Sequence, residues 1–296
     1  MRVRVEETRG VVAMITIPIL GALALGTGTI LDKFNLKNKN LSIKLYQVAS
    51  FLALVLVMFP LLYFFWKLDA GAFKLKNILI FLGIIISAII ANLLIYYSEK
   101  RAKITSLEPA IILETFFVIL ITIFFGFFIK GFSETNNRII IPTLIALAAL
   151  IFPYMKKEHL KVNKYFGAAL LGSFFFALEL VLSKFILDFY SPITFYFFRC
   201  LFILIISWII FIPNFKKINK KSWIFILITG AVYVGYRVAT YYGYIHYGII
   251  ITTLIMMLAP VVIYILASRF LKEKLNWKNV LSSAIILGCV VYVLVS

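Results

Sequence analysis

Ten apolar runs, each long enough to cross a bilayer, fill nearly the whole chain, and that pattern leaves few folds open. They lie near 11–31, 43–66, 77–98, 105–128, 139–155, 165–187, 192–212, 222–244, 248–270 and 277–295. A spanning helix needs about 20 mostly apolar residues. Inside lipid the backbone must satisfy its own hydrogen bonds, which a helix does within one segment. The pattern therefore predicts an all-α integral membrane protein with ten transmembrane helices, numbered here as spans one to ten. The connectors at 35–40, 130–135, 214–217 and 272–274 each carry lysine and other polar residues. Between spans eight and nine only His246-Tyr247-Gly248 intervenes. One helix through 222–270 would be far too long for a bilayer, so a tight turn is expected there. The first run follows Arg2 and Arg4, and Ala22-Leu23-Ala24 resembles a signal cleavage site. It is long for a signal core, and it has a counterpart later in the chain, so it is read as span one.

Composition agrees. Of 296 residues, 63% are hydrophobic and 14% charged, too little polar surface to cover a water-soluble globule. The net charge of +18 does not point to nucleic acid, because the lysines sit in short connectors where they anchor helices. Connectors one, three, five, seven and nine hold most of the 30 Lys and Arg. The positive-inside rule then places those connectors in the cytoplasm and both termini outside, with the cell membrane the expected location. Cys200 and Cys289 both fall inside apolar runs. Neither a structural disulfide nor a metal-ligand spacing is expected, and no cofactor is implied.

Two stretches match at a single offset of 151 residues. Gly21, Leu31, Lys33 and Phe34 recur as Gly172, Leu182, Lys184 and Phe185, and Leu107 and Pro109 recur as Leu258 and Pro260. Spans one to four thus match six to nine. An odd number of spans per half makes the halves enter the membrane from opposite sides. The expectation is two inverted five-helix repeats, residues 1–156 and 157–296, with the working site between them.

Ionisable groups deep in a span are costly and usually face an interior cavity. Glu179 lies mid-span six, Arg237 inside span eight, Glu114 inside span four and Arg199 in the first half of span seven. One reading makes Glu114 and Glu179 proton-linked or cation-contacting carboxylates, with Arg237 and Arg199 as counter-ions or contacts for an anionic group. The other makes Glu179–Arg237 a structural ion pair and lets Arg199 snorkel to a headgroup. Tyr233 and Tyr236 sit beside Arg237 as possible walls of a pocket for an amphipathic molecule, while tyrosines near 244–247 fit an interfacial belt. Pro109 and Pro260 are candidate hinges or cavity walls. Glu108 is assigned to helix capping with Thr105. Gly26-Thr27-Gly28-Thr29 is read first as a helix-packing surface. Asp32, Lys33, Lys184 and Asp188 are read as span-end charges at the interface, and His246 as a turn residue.

Ten spans in two halves resemble the drug/metabolite transporter superfamily of the ten-helix, EamA-like type. Pro192 to Arg199 is similar to the family's proline–aromatic–arginine opening of helix seven. Leu258-Ala259-Pro260 followed by Leu271-Lys272-Glu273-Lys274-Leu275 is similar to its helix-nine proline and glutamate-bearing connector, and Gly288 also fits. The first half departs, since Glu134 arrives only after a longer loop. The resemblance implies a cavity built from helices one to four and six to nine, with five and ten peripheral. It implies secondary transport of small organic solutes, often export of drugs or metabolites as in multidrug-resistance efflux. Such a protein is no enzyme. Its partners are a small organic solute, protons or a counter-substrate, and lipid; a monomer is the simplest expectation. The absence of GxxxxGK[ST] agrees with a porter that is not an ATPase. The carboxylates and tyrosines favour cationic or aromatic amphipaths, and Arg199 and Arg237 favour the rival, an anion or phosphorylated-metabolite exchanger. A membrane receptor or assembly protein without transport is the third reading.

Overall fold

A computed structural model describes residues 2–38, 41–102, 104–129, 137–152, 163–270 and 277–295, with side chains in the first helix described from Thr16 onward. Eleven α-helices occur among the described residues: α1 (Arg2–Leu36), α2 (Ile43–Phe65), α3 (Leu75–Arg101), α4 (Ile104–Phe128), α5 (Asn137–Ile151), α6 (Lys164–Lys184), α7 (Pro192–Phe211), α8 (Lys220–His246), α9 (Ile249–Met256), α10 (Ala259–Phe270) and α11 (Trp277–Val295). Seven are long and apolar enough to cross a membrane, namely α1, α2, α3, α4, α6, α7 and α8. Three shorter apolar stretches are Arg138–Ile151, Ile249–Ile263 and Val280–Val295.

The connectors start the helices. Ser42 accepts a hydrogen bond from the Leu45 amide at the head of α2. Asn163 accepts from Tyr165 and Phe166 for α6, Ser191 from Thr194 for α7, and Asn219 from Ser222 for α8. Such caps satisfy amide groups that the first helical turn leaves without partners. Pro192 stands in the first turn of α7, where its missing N–H costs nothing. The tight turn expected at 246–248 is present: α8 ends at His246 and α9 starts at Ile249, with Gly248 at φ 84°, a backbone glycine adopts without penalty.

Span nine is not the single helix expected over 248–270. It breaks between α9 and α10, immediately before Pro260. Proline has no amide to donate and clashes with a preceding helical turn, so the helix restarts at Ala259 instead of continuing. Its counterpart Pro109 lies within an unbroken α4. The side chains of Pro109, Thr105 and Glu108 lie outside those described, as do Glu134 and the 271–275 connector, so the capping reading is not addressed; α4 already includes Ile104.

Packing is inside-out relative to a soluble protein. Large apolar side chains such as Phe59, Phe64, Phe127, Phe128 and Ile209 are exposed on the outside, while Glu179, Arg199, Arg237, Gln47 and Asp32 are buried. A surface of that kind is the lipid-facing one. Helix α1 packs along α8, α6 along α3 and α4, α2 along α7, and α1 also along α10; α5 and α11 pack on each other at the edge. The connectors 66–74 and 185–191 are joined by an antiparallel bridge between Leu68 and Tyr190, with the Asp69 amide donating to Phe189 O at 2.8 Å.

The matched glycines sit at two of these crossings. A methyl group at Gly21 would lie 2.7 Å from Ala239 Cβ on α8, and one at Gly172 would lie 3.0 Å from Ile95 and 3.3 Å from Ala91 O on α3. The helices approach closely only because both positions lack a side chain. Gly21→Val and Gly172→Val are each expected to destabilise by about 1–3 kcal/mol through overpacking. Gly235→Ala, whose added methyl meets nothing within 4 Å, is expected to hold or raise the thermal unfolding midpoint in detergent, since alanine is the better helix former.

Candidate functional site: a two-lobed internal cavity

The buried charges converge. Glu179, fully buried on α6, has Oε1 2.8 Å from Arg199 Nε and Oε2 3.6 Å from Arg237 Nη1. The Tyr241 hydroxyl on α8 donates to the same Oε1 at 3.0 Å. Three helices are thereby fastened through one carboxylate. Arg199 is 2% exposed, so it does not snorkel to a headgroup as the alternative reading had it; its guanidinium lies 5.5 Å from the Tyr196 ring. Arg237 lies between the faces of Tyr236 and Phe176, at 5.0 and 5.4 Å. Desolvated guanidiniums gain from aromatic faces as well as from carboxylates.

Arg199 and Arg237 also line a cavity. It has two lobes, each with a cavity volume of about 110 Å³. The polar lobe is walled by residues from α1, α2, α3, α4, α6, α7 and α8, among them Asp32, Glu99, Glu114, Arg199, Tyr233 and Arg237. The second lobe is largely apolar, with Ile112, Val118, Leu180, Met256, Met257 and Ile263. Leu25, Thr29, Ile111, Glu114 and Tyr236 line both. Glu114 is half-buried and has no hydrogen-bond or ion-pair partner among the described residues. Pro260 lines the apolar lobe, as a cavity wall should.

Of the residues singled out from sequence, Glu114, Arg199, Arg237, Tyr233, Tyr236 and Pro260 meet at this cavity, and Glu179 lies directly behind its two arginines. Three readings are corrected. Asp32 is not an interfacial charge: it is 4% exposed, and accepts hydrogen bonds from the Tyr46 hydroxyl and, at 2.7 Å, from the Tyr233 hydroxyl. Lys33 and Lys184 reach across to neighbouring helices, Lys33 to the carbonyls of Glu99 and Ala102 and Lys184 to that of Tyr244. Tyr244 is buried against the apolar lobe and does not belong to an interfacial belt. Asp188 is exposed and His246 packs on Tyr242 in the turn, both as expected. In the Gly-Thr-Gly-Thr segment, Gly26 faces Val262 and Gly28 faces the Tyr233 ring, which fits the packing role, while Thr29 lines the cavity.

Sequence reasoning passed over Glu99, because Ser98-Glu99-Lys100-Arg101 reads as a connector. The signal was in its helical register: Asn92, Tyr96 and Glu99 are spaced four and three apart, share one face of α3, and all line the polar lobe.

Removing Glu179 would leave two guanidiniums buried against each other. Glu179→Ala is expected to cost about 3–5 kcal/mol. Tyr241→Phe, which removes one hydrogen bond to a charged group, is expected to cost about 1.5–3 kcal/mol. Thermal unfolding of the purified variants should rank them in that order.

No curated protein matches the chain. In fold, 28 chains of solved structures match. One of them, a crystal structure of a protein 15% identical in sequence, is covered over 96% of its length by 95% of this chain with a TM-score of 0.70. The likeness to the family stands: residues 163–295, which contain Glu179, Arg199, Arg237 and the broken ninth span, match the EamA-like transporter family of the drug/metabolite transporter superfamily.

Proposed function

We infer that this protein is a secondary transporter that moves small organic solutes through the two-lobed cavity by alternating access, in the direction of export. The observation that carries the reading is the cavity itself: it holds buried charged groups in one lobe and apolar side chains in the other, lies among lipid-facing helices, and contains Glu114, a carboxylate with no fixed partner. A bilayer protein tolerates such a group where it meets water or substrate.

The contact pattern supports ten spans in two inverted halves, 1–156 and 157–296. Under the 151-residue offset α1 corresponds to α6 and α8 to α3, and α1 packs along α8 as α6 packs along α3. Gly21 and Gly172 stand at those two crossings. The α2–α7 and α5–α11 pairs each join an element to its own counterpart, as a two-fold axis in the membrane plane requires.

Within this reading the buried acids divide their roles. Glu179 serves as a fastener, since two arginines pair with it and a tyrosine donates to its Oε1. Glu114 is the candidate proton carrier, free to change its protonation without breaking a fixed pair. The anion-exchanger alternative rests on Arg199 and Arg237. Both are already shared with Glu179, and three further carboxylates line the same lobe, which disfavours an anionic cargo.

The test is solute flux in reconstituted vesicles, using a panel of amphipathic compounds with and without a pH gradient. Glu114→Gln is expected to bring gradient-driven flux down to the level of empty vesicles while solute exchange persists. Gradient-driven flux that survives this substitution removes Glu114 from coupling, and no flux for any compound removes the transport reading.

A further inference from the structure

We propose that Asp32 and Glu99, at the α1–α3 side of the polar lobe, form a subsite for the positively charged group of an organic cation. The proposal rests on the cavity being the transport path, and it assigns to two residues outside the Glu179 cluster the recognition of cargo charge.

Four observations point there. Glu99 is 4% exposed, lines the lobe, and its Oε2 has no hydrogen-bond partner among the described residues. A buried carboxylate oxygen costs free energy unless a donor or cation meets it, so the lobe presents an acceptor that awaits one. Asp32 is held in place from both sides, with Tyr46 donating to Oδ1 and Tyr233 to Oδ2. Both oxygens of Asp32 thus face hydroxyl donors, which fixes the orientation of its carboxyl group. Asn35, bonded to Tyr46 and, at 2.9 Å, to Thr229, braces that arrangement.

Second, the nearest fixed cation, Lys33, acts on the Glu99 charge but donates hydrogen bonds to backbone carbonyls. Lys33 ties α1 to α3 through the backbone carbonyls of Glu99 and Ala102 and is not among the residues lining the lobe. Third, Tyr96 and Tyr233 place aromatic surface in the same lobe as the two acids. Aromatic faces with carboxylates attract alkylated ammonium groups, which cannot satisfy a carboxylate by donation alone.

Fourth, the two lobes fit the two ends of one molecule. A charged head at Asp32 and Glu99 leaves its body to pass Glu114 and Tyr236 into the apolar lobe formed by Ile112, Leu180, Met256 and Met257. The balance of charge agrees: Asp32, Glu99 and Glu114 line the polar lobe against Arg199 and Arg237, and Glu179 already offsets part of those two.

The test measures equilibrium binding of radiolabelled benzyltrimethylammonium to the full-length protein in detergent. Benzyl alcohol, the uncharged comparison, and sodium chloride are the competitors. Glu99→Gln keeps the side chain's shape and is expected to weaken probe binding about ten-fold or more. Asp32→Asn is expected to do the same, and Glu99→Asp to restore part of the loss. Lys37→Ala, outside the cavity, should leave binding unchanged. Size-exclusion profiles and unfolding midpoints show whether each variant folds; should Asp32→Asn fail to fold, Glu99→Gln decides alone. Binding that stays within two-fold of the parent in Glu99→Gln overturns the proposal. So does an unaltered protein that does not bind the probe, or sodium displacing it as effectively as an unlabelled quaternary ammonium. Because the assay reads binding, its failure leaves the transport reading standing. A protein that binds the cation yet moves no solute in vesicles sinks the transport reading alone.

Discussion

A charge buried among lipid-facing helices must find its partner inside the protein, and that constraint organises this molecule. The outer surface is given over to phenylalanine, leucine and isoleucine, where no polar group could be satisfied. Among the described residues, Asp32, Glu99, Glu179, Arg199 and Arg237 are therefore buried within the bundle, while the exposed lysines and arginines sit near span ends. The Glu179–Arg199–Arg237 cluster is the densest product of that rule: α6, α7 and α8 meet at one carboxylate. Net stabilisation from such a cluster is small, because desolvation of three charges offsets their attraction. Its effect is to make every alternative register of these helices expensive.

The same constraint explains why the lining is stratified. Arginines whose charge is shared with Glu179 sit on one side of the polar lobe, and Asp32 sits within a cage of Tyr46, Tyr233 and Asn35. Between them Glu114 keeps its carboxyl uncommitted. A group that must exchange a proton or release a solute cannot be locked by strong partners, since each release would then cost the full pair energy. The distribution of partners, more than the count of acids, separates scaffold from working surface.

How much of this was legible depended on where along a run each residue stood. Glu179, Arg199, Arg237 and Glu114 interrupt long apolar stretches, and the cost of burying them flagged them at once. Asp32 and Glu99 carry the same charge but lie near helix ends, in Leu31-Asp32-Lys33 and Ser98-Glu99-Lys100, where interfacial charges are ordinary. Helix α1 continues to Leu36 and α3 to Arg101, so both acids remain inside the bundle; a difference of one helical turn decides between headgroup and cavity. The break before Pro260 was readable as a weakness, but its outcome depended on packing: the related Pro109 sits in a continuous helix. The glycine pair was visible as a repeat, yet its physical reason, a helix crossing too close for a methyl group, required the partner helices.

The break between α9 and α10 links fold to site. It falls beside Met257 and Ala259, which line the apolar lobe together with Pro260, and α10 packs against α1, the helix bearing Asp32. Gly26 of α1 faces Ala259 O and Val262 just past the break. An interrupted helix can change its angle at the interruption while each half keeps its hydrogen bonds, so displacement there costs less than bending a continuous span. A movement of α10 about this point would carry the wall of the apolar lobe and press on α1 at the same time. The polar and apolar lobes are thus mechanically joined through α1, whose Leu25 and Thr29 face both.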